Sequence, residues 1–74
     1  MMHLVIQVES GNIDLALHNT RSKAALEEVL GLDEAVNETL KLVNQEETLI
    51  IVTGDHSHVL TINGYPDRGN NILG

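Results

Sequence analysis

Leu49-Ile50-Ile51-Val52 is an unbroken apolar run that halts at Thr53-Gly54 and is followed at once by Asp55-His56-Ser57-His58. A short β-branched run bounded by glycine reads as a buried strand, which predicts β structure over residues 48–53. His3-Leu4-Val5-Ile6-Gln7-Val8 predicts another over 3–8, ended by Glu9, Ser10 and Gly11. Between the two, Ala25, Val29, Leu32, Val36, Leu40 and Val43 recur at steps of three or four. That spacing predicts an amphipathic helix over about residues 20–44, with acids and amides on its other face. Gly31 costs such a helix roughly 1 kcal/mol against Ala, so the helix depends more on tertiary packing than on propensity. Two strands joined by a helix of this length lie parallel with a right-handed crossover. Asn63-Gly64-Tyr65-Pro66-Asp67 is turn chemistry, and the tail through Arg68, Gly69, Asn70 and Asn71 reads as irregular.

The fold class predicted is therefore α/β, a β-α-β unit with parallel strands. Seventy-four residues make at most one small domain with a modest core. Both strands are continuously apolar, which in a parallel sheet calls for cover on both faces, and one helix covers only one. The outer strand edges are also unpaired, and a two-stranded sheet is marginal in water. The expectation is a single partial domain over residues 1–74, incomplete at both ends and belonging to a larger sheet.

Charge narrows the partners. A net charge of -7, with 11 acids against 4 basic residues, disfavours nucleic acid and anionic membranes, which attract basic patches. Divalent cations fit better. With no cysteine, a metal here has to be held by histidine and carboxylate. Residues 1–8 lack the basic start and long apolar run of a secretory signal, and no apolar stretch nears 18 residues.

The carboxyl ends of parallel strands are where α/β folds place ligands. Glu9 falls at the end of the first predicted strand, Asp55 and His56 at the end of the second. Asp14 and His18 are four apart, so a helical backbone there turns both toward one ion. Each group also has an ordinary alternative. Asp14 and His18 suit a solvated helix start, Glu9 a capping carboxylate, and Asp55 through His58 a polar turn with Asp55 bonding local N–H groups. The crossover sets the strand ends side by side, where Glu9, Asp14 and His18 can converge with Asp55 and His56. Three carboxylates in one crevice repel unless counter-charge is supplied, and two or three divalent cations supply it.

These blocks resemble the alkaline phosphatase family, the metal-dependent phosphomonoesterases, and most of all its animal cell-surface members. The family's Val-Glu-Gly-Gly-x-Ile-Asp, with His four residues beyond, is matched by Val8-Glu9-Ser10-Gly11-Asn12-Ile13-Asp14 and His18. Its Thr-Ala-Asp-His-Ser-His-Val is matched by Thr53-Gly54-Asp55-His56-Ser57-His58-Val59. Its Gly-Tyr-x-x-Arg-Gly-Asn-x-Ile-x-Gly is matched by Gly64-Tyr65, Arg68-Gly69-Asn70, Ile72 and Gly74. The resemblance implies a piece of the family's α/β sandwich, with Glu9 a magnesium ligand, Asp14 and His18 ligands of one zinc, and Asp55 and His56 ligands of a second. His58 matches a histidine expected to support a ligand or pack rather than to bind metal, and Tyr65 and Arg68 match a structural segment. Two zinc ions and one magnesium are implied, with the zincs about 3.5–4 Å apart, one stabilising the attacking oxygen and one the leaving oxygen.

The resemblance further implies a phosphate monoester substrate, a Ser nucleophile forming a phosphoserine, a homodimer, and a membrane-anchored protein at the cell surface. The departures are informative. Ser10, Ser22 and Ser57 do not match the nucleophile block, and Arg21 and Arg68 do not match the phosphate-clamping Arg. Asn12 replaces the family's usual Arg, and Leu15-Ala16-Leu17 its His-Gly-His insert, changes around the ligands that weaken metal binding. On this pattern the chain holds about half a metal site and needs the remainder of the phosphatase fold, with Met1-Met2 falling just before the family strand, as in a truncated product. The alternative is a non-catalytic acidic fragment or pseudoenzyme that binds a partner or, weakly, a metal.

Overall fold

The structure, a computed structural model, describes residues 3–73; Met1, Met2 and Gly74 of the third sequence block lie outside the described residues. The elements run β1 (Leu4–Val8), α1 (Gly11–His18), α2 (Ser22–Leu42) and β2 (Thr48–Val52). The strands pair in parallel, from Leu4 opposite Thr48 to Val8 opposite Val52. Backbone bonds extend the ladder at both ends, Leu4 N–H to Glu47 O and Thr53 N–H to Val8 O, each at 3.0 Å. The two expected strands and their direction are thus present.

The connection differs from the single helix expected, because it holds two. α1 closes at Asn19, and the chain then turns through Thr20, whose φ is +53°. Thr20 N–H bonds Leu17 O and Arg21 N–H bonds Ala16 O, the paired bonds of a Schellman cap. Asn19 adds a side-chain bond to Leu15 O at 2.9 Å. Glycine usually fills the left-handed position of this cap, and an L residue there costs about 1–2 kcal/mol. With threonine in place of glycine, the sequence carries no stop signal, and the break falls where periodicity alone does not show it.

At its far end α2 stops at Val43, and Asn44 organises the return to β2. Its backbone oxygen accepts the N–H of Glu47 and of Thr48, while its side-chain oxygen accepts the Glu46 N–H.

Residues paired across a parallel ladder share a face, so Ile6, Val8 and Ile50, all half-buried, mark the covered side of the sheet. Val5 and Leu49 occupy the other side and are 66% and 57% exposed, with Ile51 beside them also exposed. The bare sheet face expected from one-sided helical cover is present. In α2 the predicted stripe is only partly covered: Ala25 is buried, Leu32, Val36 and Val43 are half-buried, and Val29 and Leu40 are exposed. Among the described residues Ala25 alone forms the buried core.

The overall dimensions agree with this. The radius of gyration is 16.2 Å, against about 11 Å for a compact domain of this length. The accessible surface is 6344 Å², whereas a compact protein of this mass exposes about 4,500 Å². The architecture is a β-α piece of an α/β fold, two parallel strands joined through two helices.

Candidate metal centre

The side chains singled out in the sequence gather where β1 and β2 end. β1 hands over to α1 within two residues, so Asp14 stands in the first turn of α1 and His18 in its last. The helical rise places them one turn apart on one face, with His18 Nε2 3.1 Å from Asp14 Oδ2. β2 delivers the other half through the loop that begins at Thr53. There His56 Nε2 lies 3.5 Å from Asp14 Oδ1, and His58 Nε2 lies 3.8 Å from the same oxygen. The His18 and His58 rings meet edge to face with centroids 4.8 Å apart.

Asp14 is thus the hub of three imidazoles, each from a different position in the chain. The cleft beside it encloses about 410 Å³ and is lined by Ile13, Leu17, Leu32 and Val52 along with the polar groups. These apolar walls flank the hub on one side. Asp14 Oδ1 and His58 Nδ1 are buried and have no hydrogen-bond partner. A buried carboxylate oxygen without a donor is costly, and a cation is one group that satisfies it. Imidazole nitrogen and carboxylate oxygen, with no thiolate, form a donor set that suits zinc.

The remaining site residues stand further out. Asp55 is 70% exposed, and its carboxylate engages its own neighbour: the backbone N–H of His56 at 3.0 Å and the His56 ring at 3.4 Å. It reaches the hub only through His56. Glu9 belongs to a separate group, accepting bonds from Thr53 and Gln7 at the strand ends.

The three-residue group whose ligand atoms lie within 4.8 Å of one another is Asp14, His18 and His58. The sequence reading assigned His58 a supporting or packing role. Its proximity follows from the loop after β2, which carries His56 and His58 two residues apart, with ring centroids at 6.1 Å. Thr53 was missed as well. Its signal is register, since it follows Val52 as Glu9 follows Val8.

Residues 4–74 match the family model for alkaline phosphatase. The tissue-nonspecific alkaline phosphatases of Rattus norvegicus and Homo sapiens are each 46% identical over 67 residues, covering 90% of this chain and 13% of theirs. The membrane-bound alkaline phosphatase of Bombyx mori is 42% identical over 67 residues, covering 90% of this chain and 12% of its own length. No solved structure gives a significant match. The chain therefore spans about an eighth of the length of the curated relatives it matches. The hub of Asp14 and its three histidines lies inside the matched stretch, and a match of this extent makes the chain a member of the alkaline phosphatase family.

Proposed function

We propose that the chain supplies half of the metal site of a phosphomonoesterase, and that the remainder of the fold completes it. The observation that carries this is the Asp14 carboxylate, ringed by His18, His56 and His58, whose Oδ1 is buried without a hydrogen bond. When bound, zinc and magnesium supply Lewis-acid stabilisation to the phosphoryl group and to the attacking and leaving oxygens. Asp14 and His18 would hold one zinc, Asp55 and His56 the second, and Glu9 the magnesium. Asp14 neutralises positive charge at the hub, and Asp55, hydrogen-bonded by the His56 N–H, orients the loop that carries His56. Ile13, Leu17 and Leu32 form an apolar wall on one side of the cleft.

This reading assigns the nucleophile and the phosphate-clamping arginine to parts of the fold outside this chain. It also assigns the bare sheet face to packing within that fold. Cell-surface placement follows from kinship with a relative named membrane-bound, and homodimer formation from the family. Among the described residues no helix is long and apolar enough to cross a membrane.

A graft tests the proposal. Residues 4–74 would replace the matching stretch of the rat tissue-nonspecific enzyme, and hydrolysis of an aryl phosphate would be followed with zinc and magnesium present. The chimera should turn over substrate and lose activity on Asp14→Ala. A folded, zinc-loaded chimera without activity would overturn the reading.

A further inference from the structure

Outside the Asp14 hub, three side chains from both strand ends close a polar ring. Thr53 is half-buried just past β2, and its N–H is fixed on Val8 O at 3.0 Å. Its hydroxyl donates to Glu9 Oε1 at 3.1 Å and accepts from Gln7 Nε2 at 3.2 Å. Gln7 Nε2 also donates to Glu9 Oε1 at 3.3 Å. The sense of the ring follows from charge. A carboxylate only accepts, so Gln7 turns its amide nitrogen toward it and Thr53 places its single hydroxyl hydrogen there.

We propose that Thr53, together with Gln7, is a positioning residue that holds the Glu9 carboxylate by one oxygen and presents the other to a hard divalent cation. The proposal rests on the reading of Glu9 as a cation ligand. Both donors fall on Oε1, so an approaching cation meets Oε2 and binds one oxygen rather than two. Magnesium demands a near-ideal octahedron of single oxygens, whereas calcium accepts bidentate carboxylates in looser shells. Holding the carboxylate by one oxygen thus does more than fix its direction. It biases the site toward the smaller ion.

The bias is also tied to strand pairing. Gln7 and Glu9 lie on one side of β1, and Thr53 reaches them only because its N–H sits in register on Val8. Correct pairing of the two strands and correct presentation of Glu9 are one event.

The test is isothermal titration of the chimera that carries residues 4–74 in the rat enzyme, with magnesium and, separately, calcium, with zinc held saturating. Thr53→Val keeps the shape and β preference of the side chain and removes the hydroxyl. It should weaken magnesium binding about tenfold and calcium binding less, so the magnesium-to-calcium preference falls, while Thr53→Ser keeps the wild-type preference. Circular dichroism should show the same helix content in all variants. An unchanged preference in Thr53→Val, while Glu9→Gln abolishes magnesium binding, would overturn the proposal and leave Glu9 as ligand. Equal loss for both cations would overturn it too, because that marks a purely structural role. Wild-type magnesium affinity in Glu9→Gln, or no magnesium binding by the chimera without substitution, would overturn the ligand reading and the proposal with it.

Discussion

His58 Nε2 sits 3.8 Å from Asp14 Oδ1, the oxygen that His56 Nε2 also approaches, and the His58 side chain is only 14% exposed. One carboxylate therefore organises imidazoles from α1 and from the loop after β2. His18→Ala, His56→Ala and His58→Ala should each weaken zinc binding by about 10- to 100-fold in isothermal titration. His3→Ala should leave it unchanged, since His3 lies before β1, at the far end from the hub. Equal loss from all four would indicate binding by scattered surface histidines.

Zinc release should follow acidification. An imidazole binds metal only in its neutral form, so protons compete directly with the ion. Zinc affinity should fall as the pH is lowered. A chelator competition followed from pH 8 to 5 checks the direction, and affinity rising on acidification would contradict it.

The 74-residue chain alone should not hydrolyse phosphate monoesters. If, as proposed, the nucleophile, the phosphate clamp and half the ligands lie in the rest of the fold, the chain alone lacks most of the transition-state stabilisation. Purified chain with zinc and magnesium should match the metal-only blank on an aryl phosphate. Turnover above the blank that Asp55→Ala abolishes would refute this.

In isolation the chain should also self-associate or lack fixed tertiary structure. Val5, Leu49 and Ile51 form an exposed apolar face on a sheet with two free edges. Light scattering should report species larger than a monomer, and Leu49→Lys should shift them toward monomer. Sharp, dispersed amide resonances from a wild-type monomer would contradict the expectation.

Thr20 offers a prediction about stability. Its φ of +53° puts a β-branched residue in the left-handed position of the α1 cap. Thr20→Gly should stabilise the helical pair by about 1 kcal/mol, read as a higher melting midpoint by circular dichroism. Gly31→Ala should do the same by a similar amount, because a Cβ at Gly31 meets nothing within 4 Å. A lower midpoint in either variant would show that the local backbone is not as described.

The strands were legible because apolar runs bounded by glycine and acid have few other readings, and their parallel pairing followed from the length of the connection. The break between α1 and α2 was not, because the cap is carried by Thr20 rather than by glycine. Asp14 and His18 were legible as a pair through helical spacing. Their meeting with His56 followed from the crossover, whereas the approach of His58 to the same oxygen depended on the path of the loop after β2. Asp55, expected as a ligand, also accepts the His56 N–H, a local bond that Asp favours in turns. Glu9 stands apart from the hub for a related reason. It leaves β1 on the side where Gln7 and Thr53 wait as donors.

The pairing of Val8 with Val52 acts as a ruler for the whole molecule. Lengthening the turn around Asn44 changes only how the chain returns to β2, and loop closure entropy grows slowly with length. A single residue lost between Val52 and His58 is different, since it shortens the loop that carries His56 and His58 to Asp14. Tolerance to insertion and deletion should therefore divide the sequence sharply: permissive where helix meets strand on the way in, unforgiving in the few residues where both strands run out.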